Sequence, residues 1–221
     1  MFRFACAVIS ALTLAACASV PDDVAIGPSS PRGLIVIAVA APSSGPPLPD
    51  FSLTISRFSE EEGRLDGGWA RVNNAERDAE GRYWLVAQAE PGLYVISNLS
   101  HQSTWHACFN AGTRAFEVEP GQVSFVGAIN PLPALQAIAL TLPSVSMNGE
   151  NLFAMDQELA FFDLGGVSSW EAPLERFVRA RFPNVTAPIT AVANRPVSFN
   201  TGRDLFGLQR VCGGYYAPAN P

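Results

Sequence analysis

Hydrophobic residues along this chain recur mostly at every second position, in short runs separated by glycine, proline and acidic residues. That period predicts strands whose two faces meet different surroundings. Gly33 to Ala40 departs from it: Ile35, Val36, Ile37 and Val39 form a continuous apolar run, too short for an ordinary helix, which predicts a strand buried on both faces. The stretch Ala41 to Pro49 holds four prolines and reads as a loop. Then Phe51, Leu53 and Ile55 alternate with Ser52, Thr54 and Ser56, as in a half-buried strand. Glu60 to Gly63 and Asp66 to Gly68 have loop composition and lack the alternating oxygen ligands of a calcium loop, so they read as solvated turns.

Further strands are predicted over Tyr83–Ala89, Leu93–Leu99, Thr104–Phe109, Thr113–Glu119 and Gln122–Ile129, with turns at Glu90-Pro91-Gly92 and Pro120-Gly121; Leu135 to Leu142 is another candidate. Beyond Pro143 the pattern changes. Asn148-Gly149 has hairpin-turn composition, and Leu152 to Leu164 fits helix and strand equally. From Glu171 to Phe182, Leu174, Phe177, Val178 and Phe182 fall at helical spacing; Ser168 and Glu171 suit a capping box, Glu175 and Arg179 lie one turn apart, and Pro183 ends the run. Arg176, Arg179 and Arg181 crowd the end of this helix, where a solvated face complementing the helix dipole is the plain reading and contact with phosphates or peptidoglycan acids the sharper one. Phe199, Leu205, Phe206, Leu208 and Val211 predict a C-terminal segment that docks. The expectation is a mainly β protein: an antiparallel β-sandwich of about 7–8 strands over residues 33–143, followed by an extension, 144–221, with one amphipathic helix at about 170–182 docked on it.

The N-terminus reads as a processing signal. Arg3 precedes an apolar run from Phe4 to Leu14, too short to cross a bilayer as a helix, which needs about 20 residues. Leu14, Ala15, Ala16 and Cys17 then resemble the lipobox of bacterial prolipoproteins, with ordinary signal-peptide cleavage at an Ala-x-Ala-like site as the alternative. The resemblance implies that residues 1–16 are a signal peptide, cut between Ala16 and Cys17, and that the Cys17 thiol is acylated. Ala18 rather than Asp after the cysteine implies release to the outer membrane, with the domain facing the periplasm. Residues 17–32, with Pro21, Pro28 and Pro31, read as a flexible tether reaching up to about 50 Å from the lipid.

The formal charge of −6 becomes −7 once Arg3 is removed, and all 14 basic residues are arginine. An acidic body argues against nucleic acid as a partner. A mature chain of about 205 residues suits one large domain with an apolar core.

Four cysteines sort by position: Cys6 leaves with the signal, Cys17 is the lipidation site, and Cys108 and Cys212 remain. In an oxidising periplasm the pair is expected to form a disulfide, with two buried thiols as the alternative. So long a loop would contribute on the order of 4–5 kcal/mol by chain entropy. His106 and Cys108 would project from one face of a strand, as a thiolate–imidazole hydrolase or transferase requires, but a disulfide removes that nucleophile. His101 and His106 lack a third ligand at a zinc-site spacing. No catalytic, cofactor or metal residues are therefore assigned.

Gln88–Ser100 and Phe116–Ile129 each show a strand, a Pro-Gly turn and a strand, and this pattern resembles prealbumin-like or carboxypeptidase-regulatory-like β-sandwich domains, including envelope lipoproteins. The resemblance implies a fold and no reaction. The expected role is non-enzymatic: a lipid-anchored protein presenting its sandwich to an envelope protein partner. A saccharide- or peptidoglycan-binding module is the alternative, and a Cys/His enzyme the remote one.

Overall fold

The structure is a computed structural model that describes residues 20–40, 48–73, 75–101, 105–141, 154–164, 168–200, 210–211 and 215–216. It is mainly β and holds two helices among these residues. The strands are β1 (Gly33–Val39), β2 (Phe51–Ser59), β3 (Arg64–Asn73), β4 (Glu76–Arg77), β5 (Tyr83–Ala89), β6 (Gly92–His101), β7 (Trp105–Val118) and β8 (Val123–Ile129), then β9 (Ala154–Glu158), β10 (Phe161–Phe162), β11 (Ile189–Ala191), β12 (Asn194–Val197), β13 (Arg210–Val211) and β14 (Tyr215–Tyr216). The helices are α1 (Leu132–Thr141) and α2 (Glu171–Arg181).

Two sheets pack face to face. One runs β10-β8-β1-β5-β4, with β11 also on β8; the other runs β12-β7-β6-β2-β3, with β9 also on β7. Between them lies the main core, where Ile35, Ile37, Leu53, Ile55, Ile96, Leu99, Phe109 and Phe116 meet. The sandwich is as expected, but its sheets are mixed: β1 and β11 both run parallel to β8, and β9 runs parallel to β7. The sequence beyond 143 is more than an extension laid on the outside. Its short strands complete the outer edges of both sheets, β9 and β12 on β7, β10 and β11 on β8.

Several local expectations are corrected. Asp66-Gly67-Gly68 lies within β3, where the β2–β3 register shifts between Ser56 and Phe58, a place where strand glycines commonly relax the ladder. The two strands expected within 104–119 are one strand, β7, over Trp105–Val118. Leu135 to Leu142 is helical through Thr141: Asn130 Oδ1 accepts a hydrogen bond from the Leu132 N–H at 3.1 Å, Pro133 suits a first turn, and Ala134, Leu135 and Ile138 bury one helical face against the main core. Of the stretch that fitted helix and strand equally, the described residues 154–164 contain two strands, β9 and β10. At α2 a 3-10 turn over Ser168–Trp170 precedes the helix and moves the N-cap from the expected Ser168 to Trp170, which makes no side-chain cap bond. Asn148-Gly149 and the Pro-rich stretch 41–47 lie outside the described residues.

The first sheet is apolar on its outer face too, as β1 predicted. Leu34, Val36, Trp84, Val86, Val123 and Phe125 point away from the main core into a second cluster, where α2 supplies Leu174, Phe177, Val178 and, just past its end, Phe182. Aromatic rings weld the layers: Trp84 stacks on Phe177 at 5.4 Å between centroids, and Trp170 on Phe125 at 4.3 Å. Asp78 holds the Trp84 end of this stack, accepting from the Trp84 indole N–H at 3.0 Å and from the Glu80 and Arg82 backbone N–H groups at 3.0 and 2.8 Å.

Helix α2 alone does not cover this face. The segment expected to be a loose tether closes it from Val20 onward: Val20, Val24 and Ile26 are buried in the same cluster. The Ile26 carbonyl accepts from the Thr186 and Ala187 N–H groups at 2.8 and 2.9 Å, and Asp22 pairs with Arg181 at 2.6 Å. Each such aliphatic burial stabilises by about 1.5–3 kcal/mol. Gly121 fits the arm closely, at φ +65°, with the site of a Cβ only 2.3 Å from the Pro28 carbonyl oxygen.

Two predictions follow from this layer. Ile26→Ala should lower the unfolding free energy by about 2–5 kcal/mol in denaturant titrations, whereas the exposed Ser29→Ala should change it by less than about 0.5; equal small effects would return the arm to a tether. Burial pushes the Asp78 carboxyl up, but the hydrogen bond from Trp84, then the Arg82 backbone N–H and guanidinium, outweigh it and leave the group below its ordinary 3.8. A depressed folded-state pKa stabilises above the unfolded value and is lost as pH falls through the folded one. The stability gap between the parent and Asp78→Asn should therefore be widest at neutral pH and shrink below about pH 3.8, measured by chemical denaturation at each pH.

Candidate functional site

Strand alternation gathers the chain's polar chemistry on the outer face of the second sheet. Thr54, Asn98, Cys108 and Asp156 stand side by side across β2, β6, β7 and β9, and Ser52, Ser100 and His106 form the neighbouring row. His106 and Cys108 do share a face of one strand. Their surroundings are not those of a nucleophile and its base. His106 Nδ1 donates to Asn98 Oδ1 at 3.4 Å, and Thr54 Oγ1 donates to the same oxygen at 3.2 Å. Asn98 Nδ2 reaches Ser97 Oγ at 3.4 Å, Ser97 Oγ donates to the Thr54 carbonyl at 3.0 Å, and Ser52 meets Ser100 at 2.6 Å. These side chains hydrogen-bond to one another across the strands.

Cys108 is fully buried. Nucleophilic chemistry needs an accessible thiolate, so this cysteine lacks the required form. His101 sits one position past Ser100, so it alternates to the other side of β6 from the His106 row; its Nδ1 donates to the Asp50 carbonyl at 2.7 Å. The two imidazoles do not converge, and among the described residues no three His, Cys, Asp or Glu side chains group as a metal site.

The sequence's expected partner for Cys108, Cys212, lies outside the described residues, as do Ala16 and Cys17. Val211, the residue before Cys212, belongs to β13, and β13 lies beside β9, the neighbour of β7 at Cys108.

The second candidate region is the arm and the end of α2, immediately after the lipobox. Its three arginines have partners within the chain. Arg176 pairs with Glu80 at 3.4 Å, and Arg179 donates to the carbonyls of Val185 and, at 3.2 Å, Ala187. Arg181 bonds Glu76 and Asp22, whose hydrogen bonds hold its guanidinium pKa above the ordinary value. Arg179 thus turns to backbone carbonyls of the chain after α2, Arg181 ties the arm and β4 to the helix end, and Arg176 reaches the turn between β4 and β5. No residue pattern singled these contacts out, because Asp22 and Arg181 lie more than 150 residues apart in the chain.

The sequence matches no family model, no curated protein and no solved structure. Among the described residues no helix is long and apolar enough to cross a membrane.

With a bridge between Cys108 and Cys212, thiol titration of the denatured, non-reduced mature protein should find no free thiol. Cys212→Ser should then expose one thiol per chain and lower stability by about 2–5 kcal/mol. Unchanged stability with a free Cys108 in the parent would reject the pairing.

Proposed function

We propose that this chain is a lipid-anchored envelope protein, cut between Ala16 and Cys17 and acylated on Cys17, that presents its periplasmic sandwich to a protein partner and performs no catalysis. The observation that carries the reading is the short apolar run Phe4 to Leu14 with two alanines and Cys17 directly behind it. Val20, Val24 and Ile26, on the mature side of that cut, are packed into the body. The resemblance of Leu14–Cys17 to a lipobox supplies the anchor, and Ala18 favours the outer membrane as its address. A structural or binding role suits the polar face of the second sheet, whose Ser, Thr, Asn and His side chains bond among themselves.

In a two-membrane host, tryptic peptides of the mature protein should begin at Cys17 with the mass of a lipid-modified cysteine, and the protein should fractionate with the outer membrane. Cys17→Ala should remove the lipid mass and release the protein from membranes or leave it as the uncut precursor. An unmodified Met1 terminus in the cytosol overturns the reading.

A further inference from the structure

We propose that the anchored protein has no working tether, and that the edge of the domain formed by Val20–Asp23 and the end of α2 rests against the phospholipid headgroups. This rests on the lipid anchor at Cys17 proposed above. Only three peptide units join Cys17 to Val20, a span of at most about 11 Å however they run. Val20 is already fixed: it lies with Val24 and Ile26 in the cluster under α2, and the Ile26 carbonyl is held by two N–H groups beyond the helix. Peeling the arm away to gain reach would expose those side chains and break the Asp22–Arg181 pair.

A domain of this size has a radius of gyration of about 17 Å, so an 11 Å leash holds its attachment edge at the bilayer surface. The residues at that edge suit a headgroup layer rather than hydrocarbon. Pro21, Asp22, Asp23, Pro183 and Asn184 are exposed and polar or small, and Asp22 is offset by Arg181. Layer order then directs the rest of the molecule. The arm and α2 cover the outer face of the first sheet and the second sheet lies beyond the main core, so the outer face of the second sheet, where the exposed Glu117 stands between the core residues Phe116 and Val118, is turned away from the arm. That distal side is the one offered to a partner.

The test uses lipidated mature protein, purified from membranes, non-reduced, and placed in phosphatidylethanolamine–phosphatidylglycerol vesicles whose headgroups carry a nitroxide quencher. A dye is attached in turn to the N184C variant, beside the arm, and to the E117C variant, on the outer face of the second sheet. The dye on N184C should be quenched at least twofold more than that on E117C. Inserting about 20 Gly/Ser residues between Ala18 and Ser19 should bring the two to the same low level, because such a linker restores tens of ångströms of reach. Equal quenching without the insertion, or no effect of the insertion, overturns the orientation while lipid on Cys17 in the same sample's mass spectrum leaves the anchor standing. Absence of that lipid mass overturns both.

Discussion

A sheet that is apolar on both faces must be covered on both, and most of this structure is the answer to that requirement. The run of Ile35 to Val39 in β1, with β5 and β8 beside it, sends one set of side chains toward the second sheet and the alternate set outward. Leaving Leu34, Val36, Val123 and Phe125 in water would forfeit burial worth about 25 cal/mol for every Å² of apolar surface. Helix α2 supplies most of the cover, and its rings interlock with Trp84 and Phe125 instead of merely lying on them. The remainder comes from the other end of the chain, where the arm closes over what α2 does not reach. Two segments separated by about 150 residues therefore fold as one layer.

The sequence made the strands of the sandwich legible where alternation is long and turn residues bracket it, as in β1, β2, β5 and β6. It concealed the elements whose stability comes from neighbours. β4, β10 and β11 are two or three residues long, too short to show a period, and exist because a longer strand offers them an open edge. The segment now in α1 is rich in Ala, Leu and Ile, and only the Asn130 cap with the prolines beside it tips the balance from strand to helix. The arm is composed of the proline, serine and small residues of a linker, and three aliphatic side chains at Val20, Val24 and Ile26 suffice to dock it because a ready surface waits for them. Composition reports what a segment does alone, and this one is not alone.

The polar face of the second sheet teaches a related point. Alternation correctly put Ser52, Thr54 and Ser56 on one side of β2, and His106 with Cys108 on one side of β7. It also implied that this side meets solvent, yet Ser52, Ser56, Ser97, Ser100 and His106 are buried. Small hydroxyls permit that because cross-strand pairs of them satisfy each other at close range, as Ser56 and Ser97 do at 2.8 Å. The shared face of His106 and Cys108 is the ordinary period of a strand.

The short edge strands have a consequence for how the chain can be divided. β7 and β8 would each present a bare ladder of N–H and C=O groups on their outer sides without residues 154–197, and bare ladders invite other chains to pair with them. The composition change after Pro143 is therefore no place to cut: a fragment stopping there would retain most of the core and be prone to stack on its own copies. During synthesis the same two edges stay open until the last third of the polypeptide emerges, so self-association, rather than loss of the core, is the hazard this topology must outrun.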